Sequence, residues 1–116
     1  MRLLKHCSLL ILLCSCTRMP ESFRTKSDAL TFIESKNLTR EVAETSRSSW
    51  IRSADFYHDE SGFGYGVFRI RDSRYIHARL PRKIWDEFKS ARSMGHYYNE
   101  NIKGRYMVEF EERPTN

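Results

Sequence analysis

The hydrophobic rhythm of the chain changes three times. Residues 7–13 are an almost unbroken apolar run, Cys7-Ser8-Leu9-Leu10-Ile11-Leu12-Leu13, behind the basic Arg2 and Lys5. Leu30, Ile33 and Leu38 then follow helical spacing, which predicts a short N-terminal helix with Ser27 or Asp28 as its cap. From Ser48 the period falls to two. Trp50, Ile51, Phe56 and Tyr57 predict a strand over 50–57, with His58-Asp59-Glu60-Ser61-Gly62 as its turn. A second strand is expected over 63–71, where Gly64 and Gly66 mark a bend or a close backbone approach. Arg71-Asp72-Ser73-Arg74 closes a hairpin into a third strand, 74–80. Pro81 ends that strand and suits the first turn of a helix over 82–94. There Ile84, Phe88 and Ala91 recur on one side with Trp85 flanking them, and Gly95 is the stop signal. Tyr106 to Phe110 predicts a last strand.

These elements define an α+β class: a small three- or four-stranded antiparallel sheet packed on one helix, with the short N-terminal helix beside it. The expected core is Ile51, Phe68, Ile70, Ile76, Leu80, Ile84, Phe88, Ala91 and Ile102. Thr17 to Lys26 is polar and reads as a tether, and Thr39 to Arg47 as a linker or a helical extension. A length of 116 residues allows one such domain. Its 15 aromatic residues supply the bulk for a packed core and exclude wholesale disorder.

The first 16 residues have a separate logic. All 3 cysteines, Cys7, Cys14 and Cys16, fall there, so a disulfide framework spread through the domain is excluded. A basic start, an apolar stretch of about 7 residues and small residues after it form an export signal, too short for a bilayer span of about 20. Leu13-Cys14-Ser15-Cys16 resembles the lipobox of bacterial lipoproteins, with Leu13 at −3, Ser15 at −1 and Cys16 as the acylated residue. Cys14 at −2 departs from the usual Ala, Ser or Thr. The resemblance implies a signal peptide over 1–15, a lipidated tether and short helix over 16–47, and a membrane anchor of two or three acyl chains, which holds stably where one would not. Thr17, rather than Asp, follows the cysteine, and by the Gram-negative sorting rule this implies the outer membrane, on its periplasmic face.

The segment from Ser48 to Tyr106 resembles the KTSC domain, a small module found at the C-terminus of some lysyl-tRNA synthetases and as a free-standing bacterial protein. Ser48, Ser49 and Ile51 match its Ser-Ser-x-Ile opening. Its Tyr-x-Tyr motif before Val-Pro appears as Tyr75-Ile76-His77-Ala78-Arg79-Leu80-Pro81, with His77 in place of the second tyrosine. Ala91, Ser93, Gly95, Tyr97, Tyr98, Asn99, Ile102, Lys103 and Tyr106 match the last signature. The resemblance places a KTSC-like domain at 48–110 and implies RNA binding only by the synthetase context.

Charge locates the candidate chemistry. Residues 47–106 carry 12 Lys and Arg against 7 Asp and Glu, so the positive character of the mature chain is central. On strand alternation, Tyr75, His77 and Arg79 share one face of the third strand, while Val67, Arg69 and Arg71 project together from the second. Arg69, Arg71, Tyr75, His77 and Arg79 are therefore the candidate binding residues. Interleaved aromatic and basic groups suit single-stranded nucleic acid. Export from the cytoplasm disfavours RNA, and an anionic envelope surface or an acidic protein is the alternative. His58-Asp59-Glu60 has ligand-type residues but reads as a solvated turn, so no metal and no cofactor is expected. Asp86 and Glu87 are adjacent on a helix and diverge by about 100°, which prevents paired acid–base work. The sequence carries no Gly-x-Ser-x-Gly, Walker or dinucleotide motif. The expected function is non-enzymatic: a lipid-anchored module that binds another envelope component, with a protein as the expected partner.

Overall fold

The computed structural model describes residues 19–112. In chain order the elements are β1 (Ser22–Phe23), α1 (Lys26–Ser35), β2 (Thr39–Val42), β3 (Ile51–His58), β4 (Phe63–Ile70), β5 (Ser73–Pro81), α2 (Arg82–Ser90), α3 (Met94–Asn101) and β6 (Glu109–Phe110). Strands β2-β3-β4-β5 form a four-stranded antiparallel sheet, and β1 pairs with β6 in a separate parallel ribbon. The expected signal peptide, residues 1–15, and Cys16 lie outside the described residues. Among the described residues, no helix is long and apolar enough to cross a membrane.

The class expected from the sequence is present, with one correction to its layering. The sheet is covered on both faces rather than one. Ala54, Phe56, Phe68 and Leu80 pack against Trp85, Phe88, Met94 and Tyr98 of α2 and α3. On the opposite face Tyr65, Val67, Ile76 and Ala78 pack against Ala29 and Ile33 of α1. Among the described residues, the two core clusters draw on α1, β3, β4, β5, α2 and α3 and on the segment that follows.

Gly64 and Gly66 are the close approaches that the sequence suggests. A Cβ on Gly64 would stand 2.4 Å from the Tyr57 carbonyl oxygen, and one on Gly66 would stand 2.7 Å from the Phe68 ring. Between them the β4–β5 register shifts, and Arg79 on β5 takes φ 55°. This bulge re-aims the strand, so Leu80 joins the α2 side although Ile76 and Ala78 face α1.

The helix expected over 82–94 is two helices. Helix α2 stops at Ser90 because Ala91 is extended, and the Arg47 guanidinium donates to the carbonyls of Lys89 and Ala91 at 3.0 and 2.8 Å. Those carbonyls would otherwise lack partners at a helix end. Ser93 then caps α3 by accepting from the His96 amide at 3.2 Å. Gly95 is consequently a first-turn residue, not a stop. A Cβ there would meet the Trp50 indole at 2.4 Å.

At the N-terminal side, Thr25 caps α1, accepting from the Asp28 amide at 3.1 Å, in place of Ser27 or Asp28. The supposed tether is partly ordered by β1 and by the Tyr65 hydroxyl, which donates to the Pro20 carbonyl at 2.7 Å. Of the expected core, Ile70, Ile84 and Ala91 are only half-buried, while Trp85, Phe56 and Tyr65, which that set omitted, are fully enclosed.

Candidate binding cleft

The bulge at Arg79 divides the residues that alternation had grouped. Phe68 pairs with Tyr75 and Gly66 with His77, so Tyr75 and His77 lie on the α2–α3 side. Arg79 sits on the other side, with its guanidinium 5.4 Å over the Phe63 ring and its Nε 3.5 Å from Glu21. Arg69 is also on the α1 side, paired across the ladder with Arg74. Arg71 occupies the β4–β5 turn at φ 56°. The expected single aromatic and basic face is therefore not formed. Period two holds only where no bulge intervenes.

Tyr75, His77 and Arg71 nevertheless meet in a cleft of about 870 Å³ beside β5. Trp50, Tyr98 and Met107 complete its apolar walls, and Lys26 and Lys103 join Arg71 as its cations. Among the described residues, no carboxylate lines it. The apolar groups are unusually open: Tyr75 is 47% exposed and Met107 60%. Lys26 Nζ stands 5.9 Å above the Tyr75 ring, which places one cation and one aromatic face at the same mouth.

His77 forms the floor and not the contact surface. It is 5% exposed, with its ring against Phe68 and Tyr98. Nε2 accepts from the Tyr98 hydroxyl at 2.9 Å, and Nδ1–H donates to the Tyr106 carbonyl at 3.2 Å. Both nitrogens are used in the neutral form. Burial pushes the imidazole down to about 4 against a raising effect of the Tyr106 carbonyl, and burial pushes the Tyr98 hydroxyl up. A His77–Met107 bridge and the bond from the Ala78 amide to the Tyr106 carbonyl at 3.2 Å tie the C-terminal segment to the edge of β5.

A second polar cluster lies at the other edge of the sheet. The Glu41 carboxylate accepts from Arg82 and from Trp85 Nε1 at 3.2 Å, with His58 Nε2 at 2.8 Å. The Arg82 hydrogen bond holds Glu41 down to about 2, against the raising effect of burial. His58 is thus directed at β2 and α2, while Asp59 accepts from the Ser61 amide at 2.8 Å within the turn. This network joins an edge strand to a helix. Among the described residues, no group of three His, Cys, Asp or Glu is placed to hold a metal ion.

Sequence reasoning missed Trp50, Met107, Lys26 and Lys103 as cleft residues. They come from the start of β3, the segment after α3 and the first turn of α1, and only tertiary structure gathers them. The one usable signal was Lys103, which lies in the last family signature.

A twisted antiparallel sheet between helices, with a cationic cleft at its β5 edge, is a small α+β domain of defined type. Residues 67–106 match the KTSC domain. The matched stretch holds Arg71, Tyr75, His77, Tyr98 and Lys103 of the cleft. No curated protein and no solved structure matches the chain.

Proposed function

We propose that the protein is a bacterial lipoprotein, acylated at Cys16 and held at the outer membrane facing the periplasm, whose KTSC domain is a non-enzymatic binding module for another envelope component. The lipobox-like Leu13-Cys14-Ser15-Cys16 supports the anchor. The cleft beside β5 carries the binding reading, because exposed Tyr75 and Met107 stand among Lys26, Arg71 and Lys103 with no carboxylate among its described lining. A surface of this kind, concave and apolar with a few convergent polar groups, is the usual form of a ligand site.

The test is photo-crosslinking in intact cells. A photoreactive amino acid in place of Met107 captures an envelope component, whereas the same group in place of exposed Glu44, beyond the opposite edge strand β2, does not. Equal capture from both positions, or none from Met107, contradicts the assignment.

A further inference from the structure

We infer that the cleft beside β5 seats the headgroup of an anionic phospholipid from the membrane that carries the anchor. This deepens the proposed function and rests on it for the location of the domain. Three observations on different links of the structure converge on that occupant.

The first is charge. Lys26, Arg71 and Lys103 line the cleft, and no carboxylate is present among its described lining. A phosphodiester entering there replaces water with three cations. Basic residues near a membrane surface attract anionic lipid by about 1 kcal/mol each.

The second is shape and apolar chemistry. About 870 Å³ accommodates a headgroup, the glycerol and the first methylenes, and the walls for those methylenes are Trp50, Tyr75 and Met107. Trp and Tyr favour the headgroup level of a bilayer, where one end of the ring is wet and the other is not. A soluble phosphate ester would use the cations and leave the exposed Tyr75 and Met107 uncovered.

The third is reach. The Tyr65 hydroxyl holds the Pro20 carbonyl at 2.7 Å, so the chain is pinned to the sheet four residues after Cys16. Even fully extended, that interval spans no more than about 14 Å. From Pro20 the chain passes through Phe23, which pairs with Phe110, to Lys26, and both Phe110 and Lys26 line the cleft. Pro20 and Glu21 sit beside Tyr65 and Arg79, and a tether this short holds the whole domain at the membrane, which raises the effective concentration of membrane lipid at the cleft.

The experiment uses a chain of residues 17–116, which retains every residue of both core clusters, in flotation assays at about 0.15 M salt. Vesicles containing phosphatidylglycerol should bind it, and pure phosphatidylcholine vesicles should bind at least about tenfold more weakly. The double change Arg71→Glu and Lys103→Glu should lower binding by about twentyfold or more, and Tyr75→Ala by several-fold, with circular dichroism unchanged. The charge-matched control, Lys83→Glu with Arg92→Glu, lies outside the cleft and should leave binding within about twofold. Equal binding to both vesicles, or an equal loss in the control, overturns the inference in favour of diffuse charge attraction. Free glycerol phosphate binding as tightly as the vesicle overturns it in favour of a soluble ester. No vesicle binding, with Met107 crosslinking to an envelope protein, overturns the lipid and keeps the binding module. No vesicle binding and no crosslink overturn both.

Discussion

Replacing His77 with glutamine is the sharpest probe of the cleft floor. The imidazole is 5% exposed and neutral, with Nδ1–H bonded to Tyr106 and Nε2 accepting from Tyr98. Burial lowers it to about 4, whereas an unfolded histidine titrates near 6.5. Between those values the unfolded chain takes up a proton that the folded chain refuses. Stability is therefore complete above about 6.5 and falls as pH drops toward 4. A shift of this size corresponds to about 3 kcal/mol, an upper figure because the cleft admits water. His77→Gln keeps one donor and one acceptor but does not titrate. It should cost about 1–2 kcal/mol at pH 7 through poorer hydrogen-bond geometry, and then lose much less than the wild type on acidification. Urea unfolding of both proteins at pH 7, 6, 5 and 4 measures the difference. Their stabilities should converge, or cross, by pH 4. Curves that stay parallel over that interval refute the buried neutral imidazole.

Other consequences follow from the packing and the second polar cluster. Glu41 is held down to about 2, so its contribution is present above about 4.5 and is lost as pH falls toward 2; Glu41→Gln should flatten stability over that acid range, seen by thermal unfolding. Gly95→Ala forces a methyl against the Trp50 indole and should cost about 1–3 kcal/mol with a shifted tryptophan emission, whereas Gly104→Ala, with open space at its Cβ, should leave that emission unchanged. Phe88→Ala empties a fully buried site against Phe68 and Trp85 and should cost about 3–5 kcal/mol in denaturant titration.

The strands of the sheet's centre were legible because their alternation is strong and their turns are marked by His58 to Gly62 and Arg71 to Ser73. Strand β2 was not, since Thr39-Arg40-Glu41-Val42 is an edge strand with little apolar content, and it becomes a strand only by pairing with β3. The break between α2 and α3 was hidden for a related reason: Ala91 favours helix by propensity, and the Arg47 guanidinium, distant in sequence, bonds the carbonyls where the helix ends. The candidate site was half legible. Tyr75 and Arg71 were found because an aromatic and a basic residue on neighbouring strands stand out. Arg79 was grouped with them wrongly because a left-handed residue and its bulge leave no trace in a two-residue period, and Arg69 because the hairpin register sets Phe68, not Arg69, opposite Tyr75. Lys26 was invisible, since it sits in a segment that sequence composition assigns to a tether.

The proposed anchor at Cys16 underlies both the proposed location of the domain and the proposed occupant of its cleft. Metabolic labelling with a fatty-acid analogue, followed by membrane fractionation, tests it directly in the wild type, Cys16→Ser and Cys14→Ser. Label is expected in the wild type and in Cys14→Ser, recovered in the outer-membrane fraction, and none in Cys16→Ser, whose domain should stay folded. Label retained in Cys16→Ser and lost in Cys14→Ser, or no label in the wild type, contradicts it.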